Sequence, residues 1–133
     1  MESDSRNKIR AGRSFFCCIL LVVLGLYLSS DWVSLSGVLI CLTGSLFNLV
    51  VVYANNGWMP AVLQDEKDWK FVQHQGCYKP MESTDKFKLL CDRLHPGELF
   101  TLWKYSDCVS IGDLLMETGI FIFCLRTIIF SLA

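Results

Sequence analysis

Several signatures that would announce an activity are missing from this chain. There is no Gly-rich phosphate loop, no Ser nucleophile elbow and no His-Glu-x-x-His helix. No stretch of Lys and Arg is dense enough for nucleic acid, and a net charge of -1 adds no general attraction to it. Internal repeats and low-complexity tracts are absent as well. At 133 residues the chain is one compact unit, too short for two ordinary domains. The most telling lack is local. Phe15–Leu28 and Val33–Ala54 contain no charged residue, and only Ser29, Ser30, Asp31 and Trp32 divide them.

What is there follows from that gap. A third apolar block, Leu114–Leu132, closes the chain, while charged residues gather in residues 1–13 and in a central segment, 55–108. A soluble protein would interleave the two kinds at periods of two or 3.6. A helix rises about 1.5 Å per residue, so a hydrocarbon core of about 30 Å needs about 20 residues. Trp32–Ala54 meets this length. Ser14–Ser30 is slightly short and would rely on bilayer thinning or on Arg13 extending to the interface. No small-x-small cleavage site follows it and another span begins at once, which argues against a signal peptide. Ser30 or Asp31 is placed to cap the next helix.

The expected fold is all-α: three transmembrane helices, with a partly helical polar loop between the second and third. The parts are a basic tail (1–13), a transmembrane hairpin (14–54), the polar loop (55–108) and the third transmembrane helix (109–133). Lys and Arg occur in the tail and the loop but not in the Ser29–Trp32 turn. The positive-inside bias then places the N-terminus and the loop in the cytoplasm of a plasma-membrane protein. Tyr27 and Trp32 suit one interface, and Tyr53, Trp58, Trp103 and Tyr105 the other.

Within the loop, Phe87, Leu90, Cys91 and Leu94 fall at helical spacing, which predicts an amphipathic helix over Thr84–Leu94, stopped by Pro96-Gly97. It would pack over the span ends or lie on the membrane surface. Of the seven cysteines, Cys77, Cys91 and Cys108 lie in the loop. A cytoplasmic loop would keep them reduced, whereas an extracytoplasmic one would allow a Cys77–Cys91 disulfide. His74, Cys77, Cys91 and His95 have ligand types and gaps compatible with zinc. Their order is not the familiar finger order, and a Cys-rich chain yields such spacings by chance, so no metal or other cofactor is assigned.

Gly37, Cys41, Gly44, Asn48 and Asn55 share one face of the second span. Small residues let helices approach closely and an amide in hydrocarbon seeks a partner, so the face reads first as a packing seam. Asn48 lining a polar cavity is the functional alternative. Ser110-Ile111-Gly112-Asp113 opens the third span as an N-cap with a capping-box carboxylate. Glu117 lies one turn on. Two carboxylates in apolar surroundings resist joint ionisation, which makes Asp113 and Glu117 the candidate acid/base residues. Arg126 is about 20 Å along the helix from Asp113 and on nearly the opposite side, so it is expected to reach outward as an interfacial anchor.

Asn55-Asn56-Gly57-Trp58-Met59-Pro60 after a span, Lys88-Leu89-Leu90-Cys91-Asp92-Arg93 in the loop and Ser110-Ile111-Gly112-Asp113 before the last helix form an ordered set. From about Gly37 onward it resembles an uncharacterised family of small bacterial membrane proteins with Asn-Gly-Gly-x-Met-Pro-like and Ser-Ile-Gly-Asp motifs. Asn56 stands where that family usually has its first Gly. The resemblance implies a membrane protein of unknown role, with Asn48, Asn55, Asn56, Gly57, Met59, Pro60, Ser110, Gly112 and Asp113 as its motif residues here. Ser-Ile-Gly-Asp113 is also distantly similar to the last motif of lipoprotein signal peptidases, which are intramembrane aspartyl proteases. Their first carboxylate has no counterpart after Phe47-Asn48.

A small multi-pass membrane component, non-catalytic or accessory, is therefore expected, its partners being the lipid bilayer and another membrane protein or a second copy. The rivals are an aspartyl-type hydrolase and a zinc-binding loop module. The Asn55–Pro60 and Ser110–Asp113 segments are expected at one membrane face, with backbone amides of the first meeting the Asp113 carboxylate.

Overall fold

A computed structural model describes residues 31–63, 77–94 and 108–132, together with Phe16, Ile19, Leu20, Val22, Val23 and Tyr27, each of which is helical. Two long helices dominate: α1 (Trp32–Ala54) and α2 (Ile111–Leu132). Two three-residue strands lie between them, β1 (Met59–Ala61) and β2 (Tyr78–Pro80). Among the described residues, α1 is the helix whose length and composition suffice to cross a membrane. The third expected span is also a helix, but carries Asp113, Glu117 and Arg126.

Asp31 begins α1 as its N-cap, its carboxylate accepting the amides of Val33 (2.9 Å) and Ser34 (3.0 Å) and the Ser34 hydroxyl (2.9 Å). The far end stops at Asn55, with Asn56 (φ 59°) and Gly57 (φ 93°) in left-handed backbone. The Gly57 amide reaches back to the Val52 carbonyl at 2.7 Å, the closure of a Schellman turn. Asn at the first left-handed position and Gly at the second supply the residue types that tolerate this geometry.

Packing of α1 on α2 is set by what is small. Gly37, Gly44, Ser34 and Ser45 are buried. A Cβ on Gly37 would lie 2.7 Å from the Gly119 carbonyl, and one on Gly112 would fall inside the Asn48 amide. The large apolar side chains point the other way: Leu39, Leu46, Ile120, Phe121 (65% exposed) and Ile128 are all exposed. At the Trp32 end, the Arg126 guanidinium lies 3.4 Å from the Asp31 carboxylate. Arg126 therefore turns toward α1 instead of reaching outward, because antiparallel packing brings the start of α1 beside it.

The polar segment is not purely helical, which corrects the all-α expectation. β1 and β2 pair in parallel, Met59 with Tyr78 and Ala61 with Pro80. On the other side of β1, Asp92 donates its amide to Pro60 (3.1 Å) and accepts from Val62 (2.7 Å). Leu94 and Val109 exchange both amide bonds, which joins this ladder to the start of α2. Thr84–Leu94 is accordingly a series of turns and two bridges, not a helix. Phe87 sits at φ 54°, outside helical backbone, and is 53% exposed. A small core of Val51, Met59 and Cys91, covered by Val52, Tyr78, Met81 and Leu90, seats the ladder on the last turns of α1.

Candidate functional site

Where α2 begins beside α1, four hydrogen bonds close a small polar cluster. The Asn48 amide donates to Asp113 Oδ1 (2.7 Å), and the Ser110 hydroxyl donates to Asn48 Oδ1 (2.8 Å). The Ser110 amide donates to Asp113 Oδ2 (3.0 Å), while the Asp113 amide donates to the Ser110 hydroxyl oxygen (2.9 Å). Ser110 is fully buried. The capping box expected from Ser110 and Asp113 is thus formed reciprocally, and Asn48 completes it from the facing helix. Gly112 is required because the Asn48 side chain occupies the space its Cβ would take.

The Asn55–Pro60 turn makes a second cluster, two helical turns further along α1. Its amides serve other carbonyls: Asn55 to Val51, Gly57 to Val52, Trp58 to Asn55 and Met59 to Cys77. The expected contact of these amides with Asp113 is replaced by Asn48 and Ser110. Asn55 is buried and clamps the loop instead. Its amide nitrogen donates to the carbonyls of Val51 (2.9 Å) and Lys86 (3.1 Å), and its Oδ1 accepts the Lys86 amide (2.9 Å). Met59 and Pro60 are buried within β1.

Asp113 and Glu117, the acid/base candidates from their spacing, lie on successive turns of α2. Both oxygens of Asp113 are engaged in the cap, and Glu117 is half-buried one turn away on the same helix. The structure brings a different carboxyl near Asp113. Asp92 is 2% exposed, and its Oδ1 meets no hydrogen-bond partner among the described residues. Burial, with a smaller contribution from the Asp113 charge, pushes its pKa up to about 8. Tyr78 stands in the same environment, its phenol pushed up by burial and then by the charge of Asp92. Spacing alone does not separate Asp92 from the other loop acids; the Lys88–Arg93 motif that contains it is the signal the sequence offers.

Burial also raises the Cys91 thiol to about 11. Its Sγ lies 3.4 Å from the Phe87 carbonyl and 3.7 Å from that of Lys86. It is a core side chain, not a ready thiolate ligand. Cys77 and Cys91 are not joined in a disulfide, and His74 and His95 lie outside the described residues. Among the described residues no group of three or more His, Cys, Asp or Glu could hold a metal ion. Asp85 binds Lys79 and accepts the Glu82 amide at 2.7 Å. Burial raises its pKa, but the Glu82 amide and the Lys79 ammonium outweigh this and hold it below the ordinary value.

No curated protein and no solved structure matches the sequence. The expectation of an uncharacterised family is met: the chain belongs to a family of unknown function, DUF5317, whose model matches residues 3–125.

Proposed function

We propose that this is a small multi-pass integral membrane protein acting as a non-catalytic, accessory component of the plasma membrane, with its N-terminus and central loop in the cytoplasm. One observation carries the reading: the packing of α1 on α2 is inverted relative to a water-soluble protein. Gly37, Gly44, Gly112 and Gly119 bring the two helix backbones together, and Leu39, Leu46, Ile120, Phe121 and Ile128 face outward. In water such an arrangement would waste the hydrophobic driving force, whereas in lipid close packing of small residues is what joins helices. The polar cluster at Asn48–Ser110–Asp113 and the ion pair Asp31–Arg126 sit toward opposite ends of the shared length. Three spans, with Ser14–Ser30 as the first, complete the proposed topology. Its partners are the bilayer and a second membrane protein or copy of the chain.

The test is extraction and labelling in cells. The protein should stay with membranes in alkaline carbonate, and an introduced Ser83→Cys should react with an impermeant maleimide only after permeabilisation. Release by carbonate would overturn the membrane assignment, and labelling of intact cells would reverse the topology.

Asp92 favours a second reading, an aspartyl-type hydrolase in which Asp92, not Glu117, partners Asp113. A neutral carboxyl with an unmet oxygen beside another carboxyl is the kind of pair that divides acid and base roles. Cleavage of a lipopeptide by the purified protein, lost in a folded Asp92→Asn variant, would establish it; no cleavage by wild type would remove it.

A further inference from the structure

Lys86–Leu89 is the most apolar exposed stretch among the described residues of the polar segment. Leu89 is 70% exposed and Phe87 53% exposed, with Lys86 exposed and Lys88 half-exposed between and beside them. The turn is rigidly placed. Asn55, the residue that ends α1, holds the backbone of Lys86 from both sides. The Leu90 amide donates to the Phe87 carbonyl at 2.8 Å, and the buried Cys91 thiol faces the same oxygen. These ties keep Phe87 in left-handed backbone, a costly conformation for a bulky residue. The ring itself is left uncovered.

We propose that the Lys86–Leu89 turn is a lipid-contacting foot, with Phe87 and Leu89 entering the interfacial layer at the end of α1 while Lys86 and Lys88 meet anionic headgroups. The proposal rests on the membrane reading of α1 and on its own observations beyond it. Position comes from Asn55, which fixes the turn at the level where the apolar helix ends, just past the exposed Tyr53. Charge complementarity comes from Lys86, Lys88 and the exposed Arg93, against one exposed acid, Glu82, among the described residues nearby. Lys79 is already neutralised by Asp85. Lys88 donates to the Ser83 carbonyl at 2.6 Å, which keeps its stem folded along the turn and leaves its other N–H groups for phosphate. Apolar side chains flanked by lysines are the composition that inserts shallowly into anionic bilayers.

The experiment uses the full chain in phosphatidylcholine vesicles containing phosphatidylglycerol. Leu89→Trp adds one indole at an exposed position, and its emission is read as the difference from wild type; Phe87→Trp repeats the measurement should the first variant fold poorly. Expected are a blue-shifted added emission, protection from acrylamide and loss of roughly half the added signal to brominated phosphatidylcholine. Adding Lys86→Glu and Lys88→Glu should reverse these effects in the anionic vesicles. An indole quenched by acrylamide and not by bromolipid overturns the proposal while leaving the spans intact. One shielded from both is covered by protein, which also overturns it. Failure of the chain to float with the vesicles removes the membrane reading and this proposal together.

Discussion

A buried carboxyl with one oxygen that meets no donor among the described residues is tolerated while it keeps its proton, and Asp92 is in that position. Its folded pKa of about 8 lies above the ordinary 3.8, so the folded state binds the extra proton across that interval. Stability from this source is complete below the lower value and declines as pH rises through the upper one. The melting temperature in detergent should therefore fall between about pH 5 and pH 9, by an amount equivalent to a few kcal/mol. Asp92→Asn should flatten that dependence; an unchanged slope would show that Asp92 does not carry it. The Asn48–Asp113 bond gives a second residue-level expectation. Asn48→Ala and Asp113→Ala should each cost about 1–2 kcal/mol, and the double variant less than their sum. Strict additivity in detergent melting would deny the contact.

The two helices depend on absence of side-chain volume more than on its presence. Gly112→Ala would drive a methyl into the Asn48 amide and the Gly44 carbonyl, so a loss of about 2–3 kcal/mol is expected. Thr118→Ala, on the exposed side of α2, should change stability by less than about 0.5 kcal/mol. Equal effects of the two in thermal melting would refute the seam. This seam was readable in advance, because Gly37, Cys41, Gly44 and Asn48 recur at helical spacing within an uncharged run. Asp31 and the Ser110–Asp113 box were readable as well, since caps are local. Thr84–Leu94 was not. Its apolar spacing fits a helix, but the Lys86 backbone belongs to Asn55 and the Asp92 backbone to β1, and both partners are distant in sequence. Parallel strands of three residues leave no period to detect. The burial of Asp92 was hidden for the same reason.

At the scale of the molecule, the two helices are fastened twice, by Asp31 with Arg126 and by Asn48 with Asp113 and Ser110. Inserting one Ala after Leu42 would turn one fastening about 100° from the other, so both could not form together. Loss of a single cooperative melting transition is expected, and a wild-type transition would show that the fastenings are independent of register. The ladder from β2 through β1 to Val109 is attached to α1 by Asn55 and to α2 by its own chain, so it follows whatever the helices do.

The double fastening also limits how this pair can move. Sliding one helix past the other by even one turn would strand Arg126 and Asn48 from their partners at the same moment, both in surroundings poor in substitutes. The pair behaves as a strut and not as a piston. A mechanical signal crossing it would have to travel as a tilt of both helices together, and the strand ladder at its end would swing with them.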